Sequence, residues 1–391
     1  MFKVLTLNNI AVEGLRRLPR SRYEVASEMA HPDAILLRSQ NMHDMDIPAS
    51  VAAVGRAGAG TNNIPIDSLS ARGIPVFNAP GANANAVKEL TIAGMLIGAR
   101  NLVQGAEYVG SLLEAGDALN RAVEAGKKQF VGFELPGKTL GVIGLGAIGV
   151  EVANAAFALG MKVVGFDPAI TVQNAWQLSS GVEQAETLDQ LFQHADFVSI
   201  HVPLIDATRG IVNANRLALL NEGAVLVNFA RAGIVDDAAA IAALDSGRLH
   251  AFVTDFPTPE LIAHPKAIAF PHLGASTSEA EENCAIMVAE NVKDYLENGN
   301  IRFSVNFPEA RLPRLNAWRI TLANANVPNM VGQVSTCIAN AGLNIEEFLN
   351  KSVGDFAYSI VDVNDEPSAE LLEEIGSIDG ILTLRNLGKP V

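Results

Sequence analysis

Basic residues, cysteines and long apolar runs are all scarce in this sequence. The formal net charge is −15 at pH 7, which argues against nucleic acid as a partner because binding it needs a concentrated basic surface. There are only two cysteines, Cys284 and Cys337, which argues against a disulfide scaffold and indicates a reducing compartment. No apolar run reaches about 18 residues and no leader-like segment opens the chain, so no membrane span is predicted and the cytoplasm is the expected location.

The size and composition of the chain indicate a globular protein of several parts. Its 391 residues predict two or three domains, and a hydrophobic content of 49% is ample for large cores. We predict no metal site. An acidic protein can still bind an anionic metabolite where a few cations converge. Arginines and lysines in glycine-rich or apolar segments are therefore candidate contacts for such a ligand.

The stretch from Thr139 to Asp167 reads as strand, glycine turn, helix, strand and acid. Gly144, Gly146 and Gly149 have the spacing G-x-G-x-x-G, which suits a tight turn, a close approach to a pyrophosphate and helix–strand packing. The N-terminus of the helix offers free N–H groups to phosphates. Asp167 follows Gly149 by eighteen residues, where a carboxylate binds the ribose hydroxyls and repels a 2′-phosphate. The stretch predicts a dinucleotide site that favours NAD over NADP, with a glycine-tolerant turn as the alternative.

The order of predicted elements indicates the architecture. Strands alternate with helices on both sides of the glycine turn, which predicts an α/β fold with two doubly wound parallel sheets. The last part of the chain has the order βαββαβ, which is ferredoxin-like. The predicted domains are a discontinuous substrate-binding domain at 1–97 and 279–306, a Rossmann domain at 98–278 and a third domain at 317–391. A long helical pattern runs from about Ala86 to Leu119, with Gly94 and Gly98 among its weak points.

Several segments resemble the D-2-hydroxyacid dehydrogenase family. They are GRAGAGTNNI, GVIGLGAIG, HVPL, NFARAGIVDD and FPHLGAST, and the tail resembles an ACT domain. The resemblance covers nearly the whole chain and implies hydride transfer to NAD. The branch that the chain resembles most oxidises 3-phospho-D-glycerate to 3-phosphohydroxypyruvate, the first step of serine biosynthesis.

The resemblance assigns catalysis to Arg231, Glu260 and His272. Oxidising an alcohol needs a base for the hydroxyl proton, and imidazole titrates near the working pH. A carboxylate on the other ring nitrogen stabilises the imidazolium, and an arginine can bind the substrate carboxylate through two parallel hydrogen bonds. The family usually reads D-V-F-x-x-E-P, whereas here Phe256 follows Asp255 directly and the Glu–Pro pair is reversed. Glu260 keeps the fifth-residue spacing.

Further site residues follow from the resemblance. Those assigned to the cofactor are Gly144, Gly146, Ala147, Ile148, Gly149, Asp167, Pro203, Thr208, Ala230, Asp255 and Gly274. Those assigned to the substrate are Arg38, Arg56, Ala57, Gly58, Ala59 and Lys127. The resemblance implies that the backbone of the loop from Arg56 to Ala59 cradles the substrate carboxylate. The three cations of this set are expected to face the substrate phosphate, with Lys127 coming from a neighbouring subunit. The alternative for each of them is a solvated surface charge.

The tail implies regulation. Asn326 and Asn344 match ligand residues of the serine-regulated members, which makes L-serine a hypothetical allosteric ligand. The usual Pro-Gly turn is Pro328–Asn329 here, and asparagine tolerates the positive φ that such a turn needs. The alternative is a domain that serves dimerisation only. The resemblance implies a homodimer or homotetramer.

Two other functions compete with phosphoglycerate oxidation. One is a glyoxylate or hydroxypyruvate reductase of the same family, which would not need Arg38 and Lys127. The other is a non-catalytic NAD-sensing scaffold like the family's corepressors, which an intact catalytic trio disfavours.

Overall fold

The computed structural model describes residues 1–390, and the chain forms two compact units. The first unit combines Met1–Ala82 with Glu281–Val391, and the second is Asn83–Ala280. The finer division into three domains stays a prediction. Within residues 1–390, we find no helix of the length and apolar character that crossing a bilayer requires.

The N-terminal part of the first unit is a five-stranded parallel sheet. Its strands are β1 (Phe2–Leu7), β2 (Tyr23–Ala26), β3 (Ala34–Leu37), β4 (Ala53–Arg56) and β5 (Val76–Phe77), accompanied by helices α1 (Val12–Leu15) and α2 (Ile66–Ala71). The strands lie in the order β2-β1-β3-β4-β5, and every neighbouring pair is parallel. All four residues of β3 are buried, as expected for an apolar strand that is covered on both faces.

The second unit begins with helices rather than strands. These are α3 (Ala84–Arg100), α4 (Leu102–Gly110) and α5 (Asp117–Gly126). The prediction of one long helical stretch to Leu119 was wrong, because Asn101 adopts a φ of +52° and ends α3. Gly94 and Gly98 are packing positions and not weak points. A Cβ on Gly94 would lie 3.0 Å from the Phe229 ring, and one on Gly98 would lie 3.0 Å from Val225.

A seven-stranded parallel sheet forms the centre of the second unit. Its strands are β6 (Thr139–Ile143), β7 (Lys162–Phe166), β8 (Val182–Gln184), β9 (Phe197–Ile200), β10 (Ala224–Asn228), β11 (Leu249–Thr254) and β12 (Ala267–Ala269). The helices between them are α6 (Ala147–Ala158), α7 (Val172–Gln177), α8 (Leu188–His194), α9 (Ala214–Leu219), α10 (Asp237–Asp245) and α11 (Pro259–Ile262). The strand order is β12-β11-β10-β9-β6-β7-β8. Strands β7 and β8 are added on one side of β6, and β9 to β12 are added on the other side, so the order of addition switches between β6 and β9. Ligands of open α/β sheets bind at the carboxyl ends of strands at such a reversal.

Helix α12 (Ser278–Asn298) follows the last strand of the parallel sheets, and an antiparallel sheet comes after it in the chain. The tail comprises β13 (Trp318–Ala325), α13 (Met330–Asn340), β14 (Ile345–Val353), β15 (Phe356–Val363), α14 (Ala369–Gly376) and β16 (Ile381–Gly388). The strand order is β14-β15-β13-β16, which is ferredoxin-like. The predicted fold class, with two parallel-sheet parts and a C-terminal βαββαβ part, is confirmed.

A buried ion pair fastens the C-terminal sheet within the first unit. Arg319 on β13 is 0% exposed and Asp362 on β15 is 1% exposed. Arg319 donates from Nε and Nη2 to the two Asp362 oxygens at 2.6 and 2.7 Å. The same guanidinium also donates to the carbonyls of Asn298, Leu312 and Pro313, so it ties the strand to the end of α12 and to the connecting segment.

Candidate active site

The glycine turn after β6 has the geometry that its spacing predicts. Gly144 has a φ of +90°, and a Cβ there would lie 2.7 Å from the His201 carbonyl oxygen. A Cβ on Gly149 would lie 1.9 Å from the Gly144 carbonyl oxygen, so α6 packs against the turn only with glycine at this position. No atom lies within 4 Å of a Cβ built on Gly146. The structure therefore has open space where a pyrophosphate would need the backbone uncovered.

The first turn of α6 offers amides to an anion. Gly146 is its N-cap residue and supplies no side chain, and the first helical hydrogen bond runs from Val150 N to Gly146 O. The amides of Ala147 and Ile148 belong to the first turn, where helix N–H groups lack intrahelical acceptors. The five predicted cofactor positions at the turn thus have the arrangement that a phosphate site requires.

Asp167 directly follows β7 beside this turn. Its Oδ2 accepts a hydrogen bond from the Leu145 amide at 2.8 Å, and its Oδ1 accepts one from the Ala169 amide at 2.9 Å. A carboxylate oxygen has two lone-pair directions, so each oxygen can accept a further hydrogen bond from a ribose hydroxyl. The two amides fix the carboxylate in place for that role.

Side-chain hydrogen bonds within the segment after β9 fix its conformation. Thr208 Oγ1 donates to the Pro203 carbonyl at 2.6 Å and accepts from the Ile205 amide at 2.9 Å. A hydrogen bond of 2.7 Å joins Ser199 Oγ and His201 Nε2. Burial lowers the pKa of His201 to about 3, so this ring stays neutral at physiological pH. These contacts shape the loop that holds Pro203 and Thr208, both predicted as cofactor residues.

The turn after β10 holds Arg231 through its backbone. Asn228 Oδ1 accepts from the Ala230 amide at 3.1 Å, and Asn228 Nδ2 donates to the Arg231 carbonyl at 3.0 Å. The Arg231 side chain is exposed and donates from Nη1 to the Ala230 carbonyl at 2.7 Å. The guanidinium therefore retains further donors for an anionic substrate.

Asp255 is a buried carboxylate, and one of its two oxygens has no hydrogen-bond partner in the described chain. Only 1% of the residue is exposed. Its Oδ2 accepts from the Gly274 amide at 2.9 Å, whereas Oδ1 is buried and has no hydrogen-bond partner among residues 1–390. Burial raises the pKa of this carboxyl, while the Gly274 amide and the charges of His272 and Arg231 oppose the shift. A buried acceptor without a donor fits the carboxamide N–H₂ of a nicotinamide.

His272 is held in an unusual backbone conformation. Its φ is +44°, a region that residues other than glycine adopt rarely and that tends to occur at functional sites. The His272 amide donates to the carbonyls of Asp255 and Phe270, both at 3.1 Å. Its exposed ring packs against Phe256, with ring centroids 5.0 Å apart. The strained turn thus presents the imidazole beside the buried Asp255.

In the first unit, the loop after β4 has a backbone amide without a hydrogen-bond partner in the described chain. Gly58 has a φ of +150°, and a Cβ there would lie 2.0 Å from Arg56 Nη1, so the arginine side chain covers the glycine. Arg56 Nε donates to the Arg38 carbonyl at 3.0 Å, and Arg38 pairs with Glu281 at 2.7 Å. The Ala59 amide makes no hydrogen bond within the described chain. This loop has the form of the predicted carboxylate cradle.

Comparison with known proteins establishes the family. Residues 93–274 match the family described as D-isomer specific 2-hydroxyacid dehydrogenase, NAD binding domain. A D-3-phosphoglycerate dehydrogenase from Haemophilus influenzae is 34% identical over 347 residues, which cover 86% of this chain and 81% of that protein. The chain belongs to the D-isomer specific 2-hydroxyacid dehydrogenases.

Two other relatives extend this similarity. A D-3-phosphoglycerate dehydrogenase from Methanocaldococcus jannaschii is 34% identical over 341 residues, covering 84% of this chain and 62% of that protein. The chain spans only about three fifths of the length of several curated relatives that it matches. The crystal structure of an NAD⁺-bound 3-phosphoglycerate dehydrogenase from Entamoeba histolytica is similar with a TM-score of 0.60 and 28% identity, covering 78% of this chain and 98% of that one.

The carboxylates that line the cavity beside His272 include one that the sequence analysis did not name. A cavity of about 510 Å³ in the second unit is lined by His272, Asp255 and Asp237 among others, but not by Glu260. Glu260 lies in the first turn of the short helix α11, is exposed, and makes no hydrogen bond to His272 in the described structure. Its catalytic role therefore stays a prediction.

Asp237 is the cavity carboxylate that sequence reasoning missed. It is the first residue of α10, while its neighbour Asp236 caps that helix by accepting from the Ala239 amide at 3.1 Å. Burial raises the pKa of Asp237, the hydrogen bond with Thr258 opposes this, and the charges of Asp236 and Glu260 add to it. The doubled aspartate in NFARAGIVDD was the available signal, because a helix needs only one of the two as its cap.

The remaining predicted residues are Lys127, Asn326 and Asn344, and none of them lines the cavity with His272. Lys127 is in the second unit at the end of α5, where it is exposed and forms an ion pair with Glu124. In the C-terminal sheet, Asn326 donates from Nδ2 to the Gly354 carbonyl at 3.0 Å. Asn344 is exposed, and its amide donates to Asn364 Oδ1 at 2.9 Å. The Asn326 side chain is thus held by a hydrogen bond within the C-terminal sheet region, whereas the Asn344 side chain is accessible.

The turn before α13 keeps its conformation without glycine. Asn329 adopts a φ of +66° at the N-cap of this helix, as expected from the tolerance of asparagine for the left-handed region. A Cβ on Gly332 would lie 2.4 Å from Asn329 Oδ1, so the amide side chain folds over the first helical turn. The prediction that Pro328–Asn329 can replace Pro-Gly is confirmed.

Proposed function

We propose that this chain binds NAD and oxidises a small 2-hydroxy acid at C2, with 3-phospho-D-glycerate as its substrate. The single observation that carries the proposal is the buried Asp255, which has an unpartnered Oδ1, accepts the amide hydrogen bond of the strained His272 at its backbone carbonyl, and lines one cavity together with His272. The similarity to D-3-phosphoglycerate dehydrogenases supports the choice of substrate. NADH formation from 3-phosphoglycerate tests this function.

The proposed roles follow from the chemistry of each side chain. Bound NAD would supply the hydride acceptor, held by the α6 amides, Asp167 and Asp255. His272 takes the hydroxyl proton as hydride leaves C2, because imidazole is the side chain whose pKa lies nearest to physiological pH. Arg231 binds the substrate carboxylate with charge-assisted hydrogen bonds. Arg38, Arg56 and Lys127 are the proposed contacts of the phosphate.

We expect one of two carboxylates to support His272. Motif spacing favours Glu260, whereas the cavity wall contains Asp237. Only one of the variants Glu260→Gln and Asp237→Asn should lower kcat/KM by about ten- to a hundredfold and shift the acid limb of its pH profile, since the carboxylate stabilises the imidazolium. Steady-state kinetics across pH distinguishes them. If kcat/KM of both variants stayed within about threefold of the parent enzyme, neither Glu260 nor Asp237 would be the partner of His272.

The C-terminal sheet suggests regulation of this activity. We propose L-serine as its ligand, with the accessible Asn344 side chain as a contact and an assembly of two or four chains as its setting. Isothermal titration of L-serine should give saturable heat that Asn344→Ala abolishes, because the amide can pair with both the carboxylate and the ammonium of an amino acid. The absence of heat, together with activity that ignores millimolar serine, would leave this domain a purely architectural role.

A further inference from the structure

A second cavity lies within the first unit, and its lining includes none of the proposed catalytic or substrate-binding residues. Its volume is about 560 Å³, within the range of small-molecule sites. Residues of the N-terminal sheet, of the end of α12 and of the edge strand β16 all contribute to its wall. Its charged lining residues are Arg22, Asp33, Glu297, Arg314, Arg385 and Lys389, and its apolar ones include Phe2, Leu296 and Leu387.

Arg314 lines this cavity and has donors without a hydrogen-bond partner in the described part of the chain. Its Nη2 donates to the carbonyls of Leu387 at 3.1 Å and Gly388 at 2.7 Å, which anchors the side chain. Its Nε and Nη1 are buried and have no acceptor among residues 1–390. Burial and the neighbouring Arg319 charge lower the pKa of Arg314, while Asp362 opposes the shift. An unpaired buried guanidinium edge is costly, and an anion in the cavity would remove that cost.

The other charges around the cavity leave an excess of positive charge. Arg385 donates to the carbonyls of Tyr295 at 3.0 Å and Leu296 at 2.9 Å, so it is fixed without a carboxylate partner. Lys389 lies over the Trp318 ring, with Nζ 5.8 Å from its centroid.

The two carboxylates on the wall already have partners. Glu297 accepts from the Tyr23 hydroxyl at 2.7 Å and pairs with Arg22 at 3.6 Å. Asp33 Oδ2 accepts from the Lys3 amide at 2.7 Å. The lining thus contains four cationic side chains and two carboxylates that already have partners. This local excess of positive charge contrasts with the net charge of −15 of the whole protein.

We propose that this cavity binds a small molecule that bears a phosphate group, with Arg314 as its principal donor. A phosphate ester carries a charge close to −2 at neutral pH, which matches the charge excess on the wall better than a monocarboxylate does. The apolar side chains provide room and contact for the organic part. Because the wall joins the N-terminal sheet to β16, a bound ligand fastens the C-terminal sheet to the N-terminal one.

Calorimetric titration of the full chain at constant ionic strength tests this site. Inorganic phosphate should bind saturably, glycerol 3-phosphate more tightly, and acetate at least about tenfold more weakly than phosphate, because only the phosphates satisfy several donors at once. Arg314→Met should weaken the binding of both phosphates by about tenfold or more. Lys389→Met, which leaves the anchoring bonds of Arg314 intact, should weaken it by about threefold or more.

Two control variants make the result specific. Arg311→Met removes a cation three residues away that is exposed and pairs only loosely with Glu309 at 3.8 Å, and it should leave phosphate binding unchanged. Arg38→Met removes a proposed phosphate contact of the candidate active site, so it reports any phosphate that binds there, and it should not change the affinity of the proposed cavity site. The proposal is overturned if wild-type protein shows no saturable phosphate binding. It is equally overturned if Arg314→Met and Lys389→Met, both folded by circular dichroism, keep the wild-type affinity within twofold, a threshold set at about 0.4 kcal/mol.

Discussion

Replacing His272 with asparagine is expected to lower kcat/KM for the oxidation of 3-phosphoglycerate by about 10²–10⁴-fold, the usual contribution of a general base. Asparagine is the informative replacement because His272 has a φ of +44°, which asparagine tolerates better than alanine or glutamine. The amide cannot take a proton at neutral pH, so the base is lost while the turn is kept. Steady-state kinetics of the variant measures the effect.

The same variant provides its own control through cofactor affinity. The His272 side chain contacts Phe256, and the proposed pyrophosphate and ribose contacts lie at α6 and Asp167. NADH affinity, measured by fluorescence titration, should therefore stay within about threefold of the parent value. Turnover retained within tenfold would show that another group is the base. Loss of NADH binding together with turnover would point to a collapsed turn rather than a missing base.

Replacing Arg319 with methionine is expected to lower the free energy of unfolding of the first unit by about 3–5 kcal/mol. The substitution leaves the Asp362 carboxylate buried and unpaired, and it removes the donors to three carbonyls. A buried charge without its partner costs far more than the pair contributes as a whole. Denaturant unfolding, followed by the fluorescence of the partly buried Trp318 on the same strand, measures the loss.

Two comparisons separate the charge effect from the lost volume. The double variant Arg319→Met with Asp362→Leu should recover at least half of the loss, because apolar replacements of both partners remove the unpaired charge. Arg311→Met breaks an exposed pair whose side chains are 56% and 60% accessible, so it should change stability by less than about 0.5 kcal/mol. If Arg319→Met alone were as mild as Arg311→Met, the buried pair would not anchor the C-terminal sheet.

The glycine turn could be predicted because its constraints are local. The left-handed φ of Gly144 and the contact of Gly149 with the Gly144 carbonyl both arise within six residues, so the spacing alone specifies them. Asn329 was predictable for the same reason, since a single φ decides whether its turn forms. The βαββαβ order of the tail also follows directly from the sequence of apolar patterns.

Features that depend on distant partners could not be predicted. Helix α3 ends at Asn101, which donates to the Val131 carbonyl thirty residues away and contacts His250. The edge strands β2 and β8 have four and three residues and only one buried residue between them, so their sequence patterns are weak. Asp237 faces the cavity only because residues Phe256–Thr258 and Pro271–His272 fold around it. Each of these needs long-range contacts that propensity does not encode.

The most direct test of the central claim is a substrate comparison with the purified chain. Initial rates of NADH formation should be measured with 3-phospho-D-glycerate and with D-glycerate, and the reverse reaction with the matching keto acids. We predict NAD-dependent turnover with a kcat/KM at least about a hundredfold higher for the phosphorylated acid, because charge-assisted contacts to the phosphate are lost with glycerate. Equal or greater activity on the unphosphorylated acids, or no turnover of any of them, would contradict the proposed function.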